Sequence, residues 1–409
     1  MIAEFSTSTP DSAPGVRFRL IGIGNAGVHL VDAFLLAGGT MDGCAINSDS
    51  HSLSASLAPV KVLLGSRAAR GLGAGGDPEV GAAAVEESMS EVRAALEGAD
   101  VIFLCAGLGG GTGSGALPLI ANVAKLTGAM VVAFATMPFT FEGKRRARQA
   151  RDAIEEVSKF ADIVVCFEND RMSEITRPQS GVGETFAAAD RVLCEALRTV
   201  VRMVSLPGPL RVGLAELRAL LAGRDARCVL GAGSGQGSNR AFDAVAAALK
   251  NPLLNRGKPL AGSARVLVYL SAGPSLTLAE VGAIMGEVQK LCGENTLLSL
   301  GVGECEDEDD RLSVAILGCS MPKEAAIPVR SDDGVTATAE EKDVRTPSAP
   351  ATRGGGSPGK GGRAAGPMKQ EVLPLDLAAR GRFEKSEPTI VEGEDLDVPT
   401  YLRLKIKLK

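Results

Sequence analysis

Residues 107–115 read GLGGGTGSG, six glycines with Thr112 and Ser114 set among them. Backbone this bare presents N–H groups that no Cβ shields. Placed between a strand and a helix, such a run suits phosphate oxygens, and the two hydroxyls add donors. It is not a G-x-x-x-x-G-K-[ST] loop, because it holds no lysine. Two more glycine turns precede it, GIGNAG at 22–27 and GLGAGG at 71–76. Each follows a strand-like run. Three such turns at the carboxyl edge of one sheet would meet around a polyphosphate.

The first turn also fits G-x-G-x-x-G, which opens dinucleotide sites. That chemistry needs an acid about 20 residues on to bind ribose. Asp49, in AINSDS, serves only loosely. A nicotinamide or flavin oxidoreductase therefore stays open at this point.

The elements that must position these turns follow from pattern. Strand-like runs (VRFRLIGIG, GCAINSD, VKVLLG, ADVIFLCAG, AMVVAFATMPF, DIVVCFEND) alternate with helix-like ones (GVHLVDAFLLAG, AAAVEESMSEVRAALEG, ALPLIANVAKLTG, GKRRARQARDAIEEVSKF). This alternation predicts an α/β fold with a Rossmann-type, doubly wound parallel sheet. A long helical stretch at 184–205 follows. Strands RCVLGAG, SARVLVYLSAG and RLSVAILGCS, with helices at 240–250 and 277–292, predict a second, smaller α/β domain with a mixed sheet.

The expected organisation is a disordered N-terminus (1–15), a nucleotide-binding domain (16–183), a central helix (184–205) and a C-terminal domain (206–322). A Pro/Gly/Ser-rich linker (323–385) and a docking peptide (386–409) complete it. The final residues alternate Leu402, Leu404, Ile406 and Leu408 with Arg403, Lys405, Lys407 and Lys409, so a strand would separate two faces. The four cations would also favour an anionic membrane surface.

Composition narrows the classes. Of 409 residues 45% are hydrophobic and 3% aromatic, with no Trp, so the core must be built from Ala, Val, Leu and Ile. A formal net charge of -5 gives no basic domain for nucleic acid. The eight cysteines lie scattered, with no C-x-x-C pair, and read as buried free thiols of a reducing cytosol. The first 15 residues lack the basic and apolar regions of a signal peptide. The acidic run Glu304, Glu306, Asp307, Glu308, Asp309, Asp310 lacks calcium-loop spacing and reads as a solvated turn.

Taken together, these motifs resemble the FtsZ family of the tubulin superfamily. GLGGGTGSG resembles the tubulin signature. AINSD, RGLGAGGDPEVG, PFTFEGKRR, ENDR, FAAADRVL, GSNRA, NPLL and GPSLTLAEV fall in FtsZ order, and EPTIVEGEDLDVPTYLR resembles the family's tail peptide. The resemblance spans roughly 17–322 and 380–403. It implies a tubulin-like fold, guanosine triphosphate or diphosphate as ligand with accompanying Mg2+, and head-to-tail self-assembly into division filaments. It also implies a cytoplasmic location at the division site, on the inner face of the membrane. The tail, about residues 395–403, would dock membrane-tethering and division proteins.

The resemblance also implies roles. Asn25, Ala26, Gly27, Val28 and His29, with Gly110, Gly111, Thr112 and Gly113, would hold phosphates. Ala74 and Gly75 would close over the terminal one. Glu142 would accept from ribose, and Arg146 would neutralise phosphate charge. Asn169 and Asp190 would meet the base, with Phe186 on its face. A carboxylate suits the N1–H and N2–H2 of guanine, whereas adenine has no N1–H. Asn25 and His29 stand where the family usually has Gly and Asn.

The larger departure follows the long helix. In the family an Asn-x-Asp-Phe-Ala-Asp loop reaches the next subunit's nucleotide, and its acids polarise the attacking water. Here the segment is PGPLRVGLAELRALL. Arg211 replaces the Asn, Gly213 the first Asp, and Glu216 the second. Turnover in a pure filament is expected to be slow, since a water-activating carboxylate is worth ~10²–10⁴-fold. Arg211 could instead act on the neighbouring phosphate as an arginine finger. A non-hydrolysing paralogue that co-assembles with a conventional FtsZ is the second reading.

Overall fold

The computed structural model describes residues 16–177, 179–220, 227–305 and 310–320, and strand fragments at 390–391 and 394–395. These fall in two units, one within residues 1–331 and one within 332–409.

In the first unit β1 (Phe18–Ile23), β2 (Asp42–Asn47), β3 (Val60–Leu63), β4 (Val101–Gly107), β5 (Met130–Met137) and β6 (Ile163–Glu168) run parallel, in the order β3-β2-β1-β4-β5-β6. Helices α1 (Gly24–Leu36), α2 (Ser50–Ala55), α3 (Pro78–Glu87), α4 (Met89–Leu96), α5 (Gly111–Leu126) and α6 (Lys144–Val157) form the crossovers. The expected doubly wound sheet is present. Its central strands β4 and β5 are near-continuous apolar runs because both faces are covered. Successive residues show this. Leu20 and Phe103 pack on the face that carries α1, while Ile21 and Leu104 pack on the face that carries α5.

The helix α7 (Val182–Ser205) is amphipathic and sets Leu193, Leu197, Val200 and Val204 against the first of these cores. Beyond it lie α8 (Leu214–Leu220), β7 (Arg227–Gln236), α9 (Arg240–Lys250), β8 (Arg265–Ala272), α10 (Leu278–Gln289), β9 (Leu297–Glu304) and β10 (Arg311–Ser320). Their sheet is mixed. β10 runs antiparallel to β7 and β8, and β8 runs parallel to β9. It is not a separate sheet. β7 pairs with β6 at Val164–Arg227 and Val165–Cys228, giving one ten-stranded sheet.

Three expectations need correction. The helix expected over 82–98 is two, broken at Ser88, whose hydroxyl leaves the helix to accept the Gly65 N–H at 3.0 Å. Cys228 and Cys319 are not free thiols. The β7–β10 register sets them directly opposite, with Cα atoms 4.3 Å apart, and they form a disulfide. Of the other six, Cys44, Cys105 and Cys194 are buried, while Cys166, Cys292 and Cys305 are partly exposed. The core is also not purely aliphatic. Phe103, Phe134 and Phe167 are among its largest fully buried side chains, one on each central strand.

The N-terminal segment 1–15, acidic residues 306–309, the linker and the final residues lie outside the described residues. In the second unit, Ile390–Val391 pairs antiparallel with Glu394–Asp395. Among the described residues no helix is long and apolar enough to cross a membrane.

Candidate functional site

The parallel sheet delivers the glycine turns to its carboxyl edge. Gly24 opens α1 with φ +69 directly after β1, a conformation open to glycine. Gly27 lies so close to β4 that a Cβ would stand 2.1 Å from the Cys105 carbonyl oxygen, so α1 sits deep against the sheet. β4 runs through Leu108–Gly110 into α5. There Gly111, Thr112 and Gly113 lie in the first turn, where helix N–H groups have no partner inside the helix. Ser114 Oγ accepts the Gly109 N–H at 2.8 Å and fixes the approach.

The three turns line one cavity of about 440 Å³. Ala74, Gly75 and Gly76 form one wall, and Glu142, Arg146, Asn169 and Phe186 complete the lining. An adjoining cavity of about 530 Å³ shares Asn25, Ala26, Asn169 and Phe186, and adds Gly27, His29 and Asp190. One cavity is rich in backbone donors and the other is largely apolar. A phosphate chain and a purine ask for that division.

The sequence-expected residues come together with a few surprises. Val28 lines neither cavity. Its side chain is buried in the core, so it offers backbone alone. Asn25 turns its Oδ1 to the Asn47 amide at 2.7 Å. Glu142 and Arg146 form a hydrogen-bonded ion pair one helical turn apart, and Glu142 Oε1 also accepts the Phe139 N–H at 2.9 Å. The Phe186 ring, 40% exposed, meets Phe139 edge-on at 6.1 Å. Asn169 Oδ1 is buried without a hydrogen-bond partner between the two cavities. A buried acceptor left open is a ligand contact in waiting.

His29 Nδ1 lies 3.1 Å from Asp190 Oδ2. Burial pushes the Asp190 carboxyl above its usual range, and His29 pulls it back in part. Asp49 also lines the glycine-turn cavity. Its Oδ1 accepts the His51 and Ser52 N–H groups and caps α2.

Several participants escaped the sequence reading. Ser48 and Thr112 hydroxyls bond at 2.6 Å, tying the end of β2 to the signature turn. Gly76 O accepts from Arg145 and Gln149, so α6 holds the 71–76 turn. Thr136 and Pro138 also line the phosphate cavity. These depend on side chains from different crossovers meeting, which spacing alone does not carry.

Arg211 and Glu216 line neither cavity. They sit exposed on the segment after α7, anchored by buried Val212 and Leu217 and by the Val302 N–H donating to Leu210 O at 2.8 Å. Among the described residues no group of three His, Cys, Asp or Glu could hold a metal.

Comparison with known proteins agrees with the geometry. Residues 17–177 match the Tubulin/FtsZ family, GTPase domain, and residues 226–320 match the FtsZ family, C-terminal domain. A point mutant of FtsZ from M. jannaschii is similar at 31% identity and TM-score 0.65, over 75% of this chain and 91% of that one. An empty FtsZ dimer from the same organism matches at 29% identity and TM-score 0.64, over 77% and 95%. CetZ2 from Haloferax volcanii, in a GTPγS-bound protofilament, shares the fold at 24% identity and TM-score 0.62, over 75% and 94%. The chain therefore belongs to the tubulin/FtsZ family, with that family's GTPase domain and FtsZ-type C-terminal domain.

Proposed function

We propose that this protein binds GTP in the paired cavities and polymerises head to tail into filaments of a division ring on the inner face of the membrane. The observation that carries the reading is the convergence of three glycine turns on one cavity that shares Asn169 and Phe186 with an adjoining cavity holding Asp190. The N-terminal N–H groups of α5 would hold phosphates with the help of the helix dipole. Mg2+ would enter with the triphosphate, which supplies its own oxygen ligands. Residues 395–403 would dock membrane-tethering partners.

Hydrolysis needs a loop from the next subunit. Arg211, Gly213 and Glu216 leave that loop one carboxylate, so turnover in a filament of this chain alone is slow. The same residues favour a second reading, in which this chain is a structural paralogue that co-assembles with a conventional FtsZ. Phosphate release and sedimentation, measured together against protein concentration, test both. Nucleotide-dependent pelleting with turnover that rises on assembly supports an autonomous filament. Pelleting or turnover only after conventional FtsZ is added supports the paralogue. Failure to bind GTP sinks both.

A further inference from the structure

Asp190 projects from α7 into the adjoining cavity among Leu30, Phe134, Met172 and Leu193, with its side chain 16% exposed. A carboxyl group in such surroundings drifts toward the neutral acid. A neutral acid keeps one carbonyl acceptor but turns its other oxygen into a donor, whereas guanine offers two N–H groups on this edge. A countercharge beside Asp190 favours the ionised form without filling the cavity.

His29 is the candidate that the fold supplies. It sits on α1, one turn beyond the phosphate turn, and reaches Asp190 Oδ2 at 3.1 Å. Its own ring is 68% exposed, so it pairs with Asp190 from the solvent side without filling the cavity. Among the residues lining this cavity, His29 and Asp190 alone carry titratable side chains.

The neighbouring charged groups are occupied or turned elsewhere. On α1, Asp32 accepts from Ser56 Oγ and the Leu57 N–H. On α7, the Cys194 thiol is pushed up to about 11 by burial and stays neutral. Arg191 donates to Ala187 O. Arg198 donates to Ala37 O, lies over the Phe34 ring and pairs with Glu195. From β4, β5 and the 169–174 turn the lining residues are Ala106, Gly107, Phe134, Thr136, Asn169 and Met172, all uncharged.

We propose that His29 is a positioning residue for purine recognition, holding Asp190 ionised and aimed into the base cavity so that guanine binding persists at mildly acidic pH. This rests on the nucleotide reading of the site. His29 leaves one carboxylate oxygen and a second lone pair of the other for the base. The sign follows directly. The anionic form of Asp190 binds guanine, so binding is present above the Asp190 titration and lost below it. Removing His29 takes away the pull that lowers the Asp190 titration and so moves the acid limit of binding upward.

The test is calorimetric affinity for GDP and ADP at pH 8.0 and 5.5, on the full chain and on H29Q and H29K. The wild type is expected to hold GDP at pH 5.5 within about threefold of its pH 8.0 affinity. H29Q, a neutral donor, is expected to lose on the order of tenfold of its own pH 8.0 affinity on going to pH 5.5, as one unit of carboxyl titration gives. H29K restores the charge and is expected to recover most of the loss. Identical pH profiles for wild type and H29Q, or no recovery in H29K, would overturn the inference while leaving guanine binding in place. No preference for GDP over ADP at pH 8.0 would overturn the nucleotide reading and this inference with it. Unchanged circular dichroism at both pH values separates these results from unfolding.

Discussion

Arg240 Nε lies 2.6 Å from Glu280 Oε1, with the two side chains 8% and 21% exposed. The guanidinium also reaches Glu280 Oε2 at 3.2 Å and Ser275 O at 3.1 Å. Glu280 meanwhile completes a capping box with Thr277 at the start of α10. One ion pair thus fastens α9 to α10 and caps a helix at the same time. It joins two motifs, GSNRA and GPSLTLAEV, that lie some 40 residues apart.

Glu280→Gln keeps the shape and removes the charge. It is expected to cost ~2 kcal/mol or more, because it leaves a largely buried guanidinium without its anion. Urea unfolding at pH 7 measures this. The pH dependence has a definite sign. Hydrogen bonds from Arg240 hold the Glu280 carboxyl at about 2, well below the usual range. Its stabilisation is full above the ordinary glutamate range and fades as pH falls through about 2. The gap between wild type and variant should close over that interval. A gap independent of pH would show that the charge is not what the pair contributes.

The disulfide gives a second expectation. Iodoacetamide under denaturing, non-reducing conditions should label six cysteines and spare Cys228 and Cys319 until a reductant is added. The bridge closes a separation of 91 residues. Chain-entropy arguments put the ceiling of its contribution at about 4–5 kcal/mol. Cys319→Ser should lower the denaturation midpoint, and reductant should lower the wild type by a similar amount. Eight labelled cysteines without reductant would refute the pairing.

The loop after α7 gives a third. The double variant Arg211→Asn, Gly213→Asp should raise GTP turnover in assembled protein by about 10²-fold, within the range expected for a water-activating carboxylate. The new side chain has room. A Cβ at 213 meets only the flexible end of Glu216, at 2.5 Å from Oε2. Unchanged turnover in filaments that still pellet would locate the slow step elsewhere. If Arg211 were an arginine finger, Arg211→Asn alone would abolish whatever turnover remains.

At the base end, Phe186→Ala should weaken nucleotide binding by roughly tenfold, since stacking on an aromatic ring is worth ~1–3 kcal/mol per base. Asp190→Ala should reduce the preference for guanine over adenine more than it reduces overall affinity. Competition with a labelled nucleotide reads both. A uniform loss for both purines would mean that Asp190 shapes the pocket and does not read the base.

The doubly wound half was legible because its signals are local. Gly27 must be bare to approach Cys105, and the run at 107–115 is bare because α5 begins on it. What could not be read were meetings between distant segments. Cys228 and Cys319 look alike until the β7–β10 register sets them opposite. Ser88 looks like an ordinary helical serine until Gly65 arrives to claim its hydroxyl. His29 looks like an odd residue in a phosphate turn until α7 brings Asp190 against it. The continuity of the two sheets was likewise hidden, since the β6–β7 join rests on two residue pairs and not on a pattern.

That join has a mechanical meaning. Among the described residues β6 and β7 are laced only at Val164–Arg227 and Val165–Cys228, after which the strands part. β7 and β10, by contrast, stay paired from Arg227 to Gln236. A plate laced at one corner of a seam opens there first, and the crosslinked cysteine sits at the last stitch. One apolar core backs the seam from Val165 and Phe167 to Leu230 and Leu317. Amides flanking the seam should exchange with solvent ahead of those deeper in either half of the sheet.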